Sequence, residues 1–452
     1  MISVIPEKLK SLAHSLQVPL YVVGGACRDF LAGLKRGNPD WDICAPATAE
    51  TVAETAKECG FTVTATYRNT GTVRLKADGE EYEFTSFRTD RYVRGKHSPE
   101  EVFFTDDMAL DARRRDFKCN AVYYHIAEER FCDPLGGIAD IENGVISTVA
   151  PPEKVFGEDG LRLMRLARIS AETGFAPTEE CLDGARVNAG LIRDIAAERI
   201  WTELGYIIHA DEKYGVEGAH YRGLKLLDEI GVLDIILPEL TLGRGMQQRS
   251  DFHSHDVLEH SLRCVLYAPA KVRVSALLHD VGKPESKLQT GRFAGHEVTG
   301  SELAEKILAR FKVSKRLTAR VCDLVRWHMY DLSGQASENK IKKFIVRHGD
   351  IYEDLLLLKQ ADFSACKDNL SVAPIVLKWK NVYEGMVNDG VPLSLKQLAV
   401  KGDKLIGVGI SPNEVGETLD FLLAECAMGN VGNEEEKLIR LALARTGKKY
   451  KQ

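Results

Sequence analysis

The stretch of residues 21–43 constrains the fold of this chain more than any other part. In it an apolar run ends in Gly24-Gly25, and Asp40-Trp41-Asp42 opens a second apolar run. Residues two apart on a strand point to the same face, so Asp40 and Asp42 would aim both carboxylates at one point. Paired carboxylates suit Mg²⁺, and two such ions can hold the attacking and leaving oxygens of a phosphoryl transfer. Either motif alone is common, as a turn or a surface tripeptide, but together they favour a metal-dependent phosphoryl-transfer site.

The length and composition of the chain bound its class. At 452 residues it is too long for one core, and we expect two to four domains. The chain is 44% apolar and 28% charged, and it has no signal-peptide pattern and no long apolar run, which predicts a soluble protein with no membrane association. Its ten cysteines form no C-x-x-C pair, which favours the reducing cytoplasm. The net charge of −6 does not by itself indicate a nucleic-acid binder, although basic residues cluster locally.

Hydrophobic periodicity predicts an α/β region at the start of the chain. We expect helices over 5–17, 27–34 and 49–59, and strands over 20–23, 41–45, 61–68, 71–77 and 81–88. Glu83 alternates within the last of these strands and is a candidate third carboxylate of the site, the alternative being an exposed strand glutamate. Residues 89–109 are polar and predict a long loop, which inside a domain is usually functional or mobile.

A second candidate site motif is the run Arg114-Arg115-Asp116, which leads into an apolar segment. Beside a phosphate, the two guanidinium groups would bind in a bidentate manner and the carboxylate would orient them. This motif therefore adds a phosphate-binding candidate to the carboxylate pair.

The chain becomes helical from about residue 153, and one helix is predicted over 153–175. Arg162, Arg165 and Arg168 recur every third residue, which predicts a basic stripe along that helix. Asp159 and Arg162 are three apart and would share a face, either as an ordinary ion pair or as a reader of a base edge. A carboxylate accepts from the amine of cytosine or adenine while a guanidinium donates to the neighbouring ring acceptor, and guanine and uracil present the opposite pattern. Such a pair would reject them because a mismatched base leaves buried polar groups unpaired.

Histidines concentrate in residues 251–330, which hold six of the twelve in the chain. Neutral imidazoles with carboxylates are a normal ligand set for Mn, Fe, Ni or Zn. The candidate ligands are His260, His279, Asp280 and Asp362, with His296 and His328 as weaker candidates. The adjacent His-Asp pair after an apolar stretch is the stronger part of this signal, since a lone histidine is usually structural.

These motifs together resemble the class II tRNA nucleotidyltransferases, which comprise the CCA-adding enzymes and bacterial poly(A) polymerases, with a fused HD domain. The matching segments are G-G-x-x-R-D at 24–29, D-x-D at 40–42, R-R-D-F-T-x-N-A at 114–121, D-P-x-G-G-x-x-D at 133–140, E-D-x-x-R at 158–162 and E-R-I-x-x-E at 198–203. The third departs from the family pattern, because Lys118 stands where threonine is usual. The histidine set resembles that of an HD domain.

The resemblance implies an α+β multidomain fold with a palm-like head of mixed sheet and helices, followed by a helical neck, HD body and tail. The implied domains are 1–145 (head), 146–240 (neck, RNA-binding), 241–370 (HD) and 371–452 (tail, tRNA-binding). The implied substrates are the acceptor end of tRNA, CTP and ATP, with Mg²⁺ as cofactor, pyrophosphate as product and a second divalent metal in the HD domain. The loop at 88–104 looks complete and, because the family links it to the switch from C to A addition, favours full CCA addition. We expect a monomer or a homodimer.

The residue-level arguments and the resemblance together imply roles for individual residues. Catalysis falls to Asp40, Asp42, Glu83 and Arg114, with Asp40 and Asp42 as the Mg²⁺ ligands. Nucleotide binding falls to Gly24, Gly25, Arg28, Arg115, Asp116, Asn120, Asp159, Arg162, Arg165 and Arg168.

Other functions stay open at this point. The same motifs suit a poly(A) polymerase, an A-adding or CC-adding enzyme, a nucleotidyltransferase–HD signalling protein, or an RNA-binding module on an inactive head. The Asp159/Arg162 pair disfavours signalling chemistry with U or G, and intact Asp40 and Asp42 disfavour an inactive head. The HD domain is either a phosphohydrolase, acting on 2′,3′-cyclic phosphates or damaged tRNA ends, or an inherited scaffold.

Overall fold

The computed structural model describes residues 5–34, 40–91, 100–251 and 253–447. The chain divides into two compact units, one of residues 1–241 with 310–312 and the other of residues 242–309 with 313–452. None of the helices among the described residues is long and apolar enough to cross a membrane.

The strands of the first unit form a mixed sheet and two small pairings. In chain order they are β1 Tyr21–Val23, β2 Trp41–Ala45, β3 Thr62–Tyr67, β4 Thr72–Ala77, β5 Glu80–Ser86, β6 Arg88–Arg91, β7 Glu101–Phe104, β8 Tyr123–His125, β9 Arg130–Cys132, β10 Val145–Ile146 and β11 Ala176–Pro177. Across the described residues the main sheet has the order β3-β4-β5-β2-β1-β8-β9. Its central pair β2 and β5 is parallel and its other neighbours are antiparallel. The mixed sheet of the predicted head is confirmed.

The helices of the first unit cover the sheet and continue into the neck. They are α1 Glu7–Ser15, α2 Gly25–Leu31, α3 Ala49–Glu58, α4 Met108–Arg113, α5 Gly137–Asn143, α6 Pro152–Glu158, α7 Leu161–Thr173, α8 Glu179–Asn188, α9 Ala197–Ile208, α10 Ala210–Tyr214, α11 Ala219–Glu229, α12 Leu233–Ile236 and α13 Pro238–Thr241. Short 3₁₀ turns occupy Arg68–Thr70, Lys118–Asn120 and Ala189–Asp194. The neck, predicted to be helical throughout, also contributes β11, which pairs with β10 in parallel.

The single helix predicted over 153–175 is wrong, because the chain breaks between α6 and α7. Asp159 is extended, with φ −144° and ψ 108°, and its carboxylate accepts a hydrogen bond from the Leu161 N–H at 2.9 Å. A Cβ at Gly160 would lie 2.6 Å from the carbonyl oxygen of Leu191, so the close approach there needs glycine. Asp159 therefore precedes α7 instead of sharing a helical face with Arg162.

The loop predicted over residues 89–109 is also partly wrong. β6 pairs with β7 in an antiparallel hairpin, and α4 begins at Met108. Residues outside the hairpin stabilise the polar strand β6. The Arg88 N–H donates a hydrogen bond to Asp111 at 3.2 Å, and the Arg88 guanidinium donates one to the Thr70 carbonyl. Local polarity could not show these distant partners. Residues 92–99, part of the loop used to favour full CCA addition, lie outside the described residues.

The described part of the second unit is helical. Its helices are α14 Val257–Tyr267, α15 Arg273–Leu278, α16 Lys283–Thr290, α17 His296–Arg310, α18 Lys315–Trp327, α19 Glu338–Arg347, α20 Tyr352–Lys367, α21 Pro374–Asn388, α22 Gly402–Gly407, α23 Pro412–Ala427 and α24 Glu435–Arg445, with 3₁₀ turns at Ala270–Val272 and Leu395–Gln397. α14 packs along α20 and α15, which brings the histidine-bearing segments together. A separate apolar cluster, including Leu405, Leu422 and Leu438, joins the last three helices.

Candidate active site and metal centre

The carboxylate pair lies at the start of β2, where the sequence places it. Asp42 is level with Glu83 in the parallel pairing of β2 with β5, so a third carboxylate stands on the adjacent strand. Desolvation, together with the negative charges of Glu83 and Asp40, raises the pKa of Asp42 to about 6 against the opposing effect of Arg115. Like charges gathered at one point favour a bound cation there. The donor set fits Mg²⁺, which prefers oxygen ligands and needs few from the protein.

The two glycines bring the backbone of α2 against the carboxylates. Gly24 has φ +81° and lies between β1 and α2. A Cβ at this position would lie 3.2 Å from Oδ2 of Asp42. Glycine therefore serves here both for its left-handed backbone and for the space it leaves beside the carboxylate.

One cavity of about 610 Å³ in the first unit gathers nearly all the predicted site residues. Those that line it are Gly24, Gly25, Arg28, Asp40, Asp42, Arg114, Arg115, Asp116, Asn120, Asp159, Arg162, Arg165 and Arg168. Glu83 is not in the lining, and its carboxylate instead pairs with Arg74 at 3.3 Å. Its catalytic role stays a prediction.

Further lining residues were not singled out from the sequence. They are Leu161, Ile169, Glu172, Arg199, Glu203 and Lys213. Arg199 and Glu203 belong to the E-R-I-x-x-E segment, which was a usable signal. Lys213 and Glu172 form an ion pair at 2.7 Å, and neither belongs to a sequence motif that indicated a role in the site.

Asp111 fixes two of the arginines of the cavity wall from behind. Its fully buried carboxylate accepts from Nε of Arg114 at 2.7 Å, from a terminal nitrogen of Arg115 at 3.1 Å and from the Tyr123 hydroxyl at 2.7 Å. Burial acts to raise the pKa of Asp111, but the charges of Arg115 and Arg114 and the hydrogen bonds lower it to about 2. The sequence motif marked the two arginines but not the carboxylate that orients them.

We expect Asp111→Asn to lower the free energy of unfolding by about 2 kcal/mol near pH 6, since one pKa unit is worth about 1.4 kcal/mol. The unfolded chain protonates Asp111 near its ordinary pKa of 3.8, whereas the folded protein keeps it ionised to about pH 2. Its stabilisation is thus complete well above pH 4 and is lost as the pH falls towards 2, with roughly half remaining near pH 3. Urea unfolding of both proteins at several pH values measures this. A difference that stays constant from pH 6 to pH 3 would contradict it.

Asp116 joins the head to α7. Its carboxylate accepts from Nε of Arg165 at 2.8 Å and from the Asn120 amide at 3.2 Å. Asn120 in turn accepts from Arg28 at 2.7 Å, although the two are 92 residues apart. Burial opposes ionisation of Asp116, but the Arg165 guanidinium holds the pKa of that carboxyl well below its usual range. The structure therefore links three sequence motifs into one hydrogen-bonded chain.

Arg162 and Asp159, the predicted base reader, are both buried and both line the cavity. The Arg162 guanidinium donates to the Val155 carbonyl at 2.9 Å, to Glu158 at 3.0 Å and to the Arg114 carbonyl at 2.8 Å. These contacts hold the Arg162 guanidinium in one orientation. The hydrogen bond from the Leu161 N–H holds the Asp159 carboxylate in the same way.

In the second unit the histidines and aspartates form two adjacent groups. The first is His260, His279 and Asp362, and the second is Asp280, His296 and His328, all of them buried. Nε2 of His260 lies 3.0 Å from Asp362 Oδ1, and Nε2 of His279 lies 3.7 Å from the same oxygen. In the second group the two Nε2 atoms lie 3.2 Å apart. The weaker candidates His296 and His328 thus stand beside the stronger ones.

Asp280 faces both groups, one through each carboxylate oxygen. Oδ2 lies 3.2 Å from Nε2 of His279 and 3.6 Å from Nε2 of His260. Oδ1 lies 3.1 Å from Nε2 of His296 and 3.7 Å from Nε2 of His328. Ligands bound at about 2.1 Å to one ion are separated by roughly 3.0–3.4 Å in octahedral or tetrahedral geometry, close to these spacings. The arrangement fits two cations bridged by Asp280.

The chemistry of the donors supports this fit. Burial lowers the pKa of His328 to about 4, which keeps its imidazole neutral, as a ligand must be, whereas the pKa of His279 is raised by the Asp280 carboxylate and Cys264 against the effect of burial. Within the described part of the chain, Nε2 of His279 is buried without a hydrogen bond of good geometry. Nδ1 of His279, His296 and His328 lies 2.6–2.8 Å from backbone carbonyls, those of Ala276, Phe293 and Val325. That contact is typical of metal-bound histidine, because it presents Nε2 to the ion.

Comparisons with known proteins agree with this architecture. The family described as "Poly A polymerase head domain" matches residues 20–147, "Probable RNA and SrmB-binding site of polymerase A" matches 174–242, and "HD domain" matches 253–362. An A-adding tRNA nucleotidyltransferase of Deinococcus radiodurans is 30% identical, over 92% of this chain and 93% of that protein. A multifunctional CCA protein of Neisseria gonorrhoeae is 30% identical, over 72% of this chain and 78% of the relative. The solved CCA-adding enzyme of Bacillus stearothermophilus in complex with CTP has TM-score 0.67 and 23% identity, and the match covers 98% of this chain and 97% of that one.

Proposed function

Since this chain belongs to the family of tRNA nucleotidyltransferases with a poly(A) polymerase head, we propose that it adds nucleotides to the 3′ end of tRNA from CTP and ATP. The observation that carries the proposal is the single cavity in which the carboxylate pair, the arginine wall and the Asp159/Arg162 pair meet. These are the three parts that untemplated nucleotide addition needs: a catalytic centre, a triphosphate cradle and a base selector.

Asp40 and Asp42 would hold Mg²⁺, whose charge would favour deprotonation of the RNA 3′-hydroxyl and neutralise the leaving pyrophosphate. The residues of the chain position the reactants around that point. Each of three arginines is oriented by a carboxylate: Arg114 by Asp111, Arg165 by Asp116 and Arg168 by Glu203. Because a guanidinium has five N–H donors, one carboxylate partner leaves donors for the triphosphate.

Base choice is assigned to Asp159 and Arg162. Their fixed orientation favours selection, because a rigid donor and acceptor cannot rearrange to suit a uracil or guanine edge. The Asp159 carboxylate would accept a hydrogen bond from the exocyclic amine of the base, and the Arg162 guanidinium would donate one to the adjacent ring acceptor. Cytosine and adenine share this pattern of amine and acceptor. Selection by side chains explains how addition proceeds without a template strand.

Asp159→Ala is expected to lower the preference for CTP over UTP roughly 10- to 100-fold, because an unpaired buried polar group costs about 1–3 kcal/mol. Single-turnover addition to a trimmed tRNA, with CTP and UTP in separate reactions, measures the ratio. Glu153→Ala is the matched control, an exposed acid on the neighbouring helix α6. A CTP preference that is equal in Asp159→Ala and the control would remove Asp159 from base selection.

We propose full CCA addition in preference to A or CC addition alone. The hairpin of β6 and β7 is tied to the cavity, because Asp90 of β6 lies 3.8 Å from Arg114, which lines the cavity. A switch between C and A addition needs such a link. Sequencing the products of trimmed tRNA, tRNA-C and tRNA-CC with CTP and ATP tests it: CCA on all three supports the proposal. If only tRNA-CC is extended, the protein is an A-adding enzyme. If the products end at CC, it is a CC-adding enzyme. If runs of A are added to any RNA, it is a poly(A) polymerase.

A second function, metal-dependent hydrolysis of phosphate esters, is proposed for the HD centre. The two ligand groups that share Asp280 favour it, because paired cations suit displacement at phosphorus. Substrates of this class include 2′,3′-cyclic phosphates and damaged tRNA ends. Hydrolysis assays with Mn²⁺, Ni²⁺, Fe²⁺ and Zn²⁺ identify the metal, and no turnover with any of them would favour the inherited scaffold.

We propose that the protein acts in the cytoplasm, because its proposed substrate is tRNA that is being matured there. Whether it acts there as a monomer or as a homodimer stays a prediction.

A further inference from the structure

His260 differs from the other three histidines of the HD centre in what its second ring nitrogen contacts. Nδ1 of His279, His296 and His328 each meets a backbone carbonyl. Nδ1 of His260 is fully buried and has no hydrogen-bond partner among the described residues. A buried imidazole nitrogen without a partner loses the hydrogen bond that it makes in water, so its position needs an explanation.

Two further metal-binding side chains stand next to this histidine. A nitrogen of His260, a nitrogen of His253 and Sγ of Cys366 all lie within 4.8 Å of one another. The rings of His253 and His260 meet edge to face, with centroids 4.9 Å apart. Nδ1 of His253 is likewise buried without a hydrogen bond to any part of the chain that the structure describes. Cys366 lies one helical turn beyond Asp362 on α20, so the helix that supplies a ligand to the HD centre also supplies the thiol.

We propose that His253, Cys366 and Nδ1 of His260 form a third cation site, next to the two groups of the HD centre and distinct from them. The ligand set of one thiolate and two imidazoles suits Zn²⁺, which takes nitrogen and sulfur donors in tetrahedral geometry and here keeps its fourth position for water. Donors at about 2.0–2.3 Å from Zn²⁺ stand roughly 3.3–3.8 Å apart, so the three side chains close by about 1 Å on binding.

Binding is balanced by the release of protons and involves no redox change. The Cys366 thiol gives up its proton on forming the zinc–sulfur bond. Nδ1 of His260 binds through its lone pair, or gives up a proton where Nε2 already holds a cation of the HD centre. When Nε2 of His260 also holds a cation of the HD centre, the ring is an imidazolate bridge between the two sites. The proposal rests on the HD centre of the proposed function only for this bridge.

For the test, the metal-free full-length protein is loaded with Co²⁺ in excess Mg²⁺, and the absorption of a thiolate–cobalt bond is recorded. A second sample is loaded with Zn²⁺ in the same way, and its bound zinc is measured by elemental analysis. We expect the thiolate band in the wild-type protein, its loss in Cys366→Ser, and loss of about one zinc per chain in both Cys366→Ser and His253→Ala. His253 is only partly buried, so its variant covers the case in which Cys366→Ser fails to fold. Cys322→Ser, a change of another partly buried cysteine of the same unit, should keep the band.

Asp280→Asn separates this proposal from the HD centre itself. The thiolate band should persist in that variant while the other bound ions are lost. Two bound ions without a thiolate band in the wild-type protein would overturn the third site and leave the HD centre standing. A band that disappears in Cys322→Ser instead of Cys366→Ser would also overturn it. A thiolate band with one bound zinc in total would support the third site and contradict the two-cation centre.

Discussion

Asp42→Ala is expected to lower the rate of nucleotide addition by roughly 10³-fold or more, because losing a metal ligand at the reacting phosphate removes several kcal/mol of charge stabilisation. Asp42 is central to the site: Gly24 approaches its carboxylate, and Asp40 and Glu83 flank it. Saturating single-turnover kinetics with trimmed tRNA, CTP and Mg²⁺ measures the loss. Binding of tRNA should be retained, since Asp42 contributes negative charge and not a phosphate contact.

Glu81→Ala provides the matched control for this prediction. Glu81 lies on β5 two residues before Glu83, is exposed, and pairs with Lys76 outside the cavity lining. Its change should leave the rate within about twofold, as expected for a surface ion pair. A rate in Asp42→Ala within tenfold of wild type would refute the assignment of the catalytic centre. Loss of tRNA binding together with turnover would instead indicate a collapsed head.

Asp280→Asn is the second change with a large expected effect, because this side chain is shared by both ligand groups of the HD centre. The substitution keeps the shape of the side chain but removes its charge, and it also weakens the contact with Lys283, whose Nζ lies 2.5 Å from Oδ2. We expect hydrolysis of a 2′,3′-cyclic phosphate to fall by roughly 10³-fold and the cations of the HD centre to be lost. Addition of nucleotides to tRNA should remain, because the cavity of the first unit contains no residue of this centre.

The control for this second prediction is Asp323→Asn on α18. Asp323 is exposed and precedes His328 by five residues, so it tests the same helix without touching the centre. Hydrolysis and metal content should match those of the wild-type protein. Wild-type hydrolysis that survives in Asp280→Asn would show that the activity comes from elsewhere in the chain. If Asp280→Asn is instead partly unfolded, its thermal transition should change, and nucleotide addition should be lost together with hydrolysis.

Much of this protein could be predicted without its structure, because several signals are local. The Asp40 and Asp42 spacing requires only that the segment be a strand, and β2 is one. The turn at Gly24-Gly25 and the adjacent His279 and Asp280 are likewise set by neighbours in the chain. Fold class followed from periodicity and from motifs whose order matches a family.

Other features depended on contacts between distant segments, which no local pattern encodes. Parallel pairing of β2 with β5 placed Glu83 level with Asp42, while antiparallel pairing of β5 with β4 placed it opposite Arg74, with which its carboxylate pairs. The break at Asp159 follows from the close approach of Gly160 to the backbone of Leu191.

The sequence alone therefore determined which residue types supply the chemistry of this protein, since carboxylates, guanidiniums and imidazoles carry it wherever they lie. Only the tertiary structure decided which of them act together. The sharing of Asp280 between two ligand groups and the placement of His253 and Cys366 beside His260 arise from the packing of α14, α15, α17 and α20. Side-chain packing between helices joins residues about a hundred positions apart, and it depends on the whole core and not on any one segment.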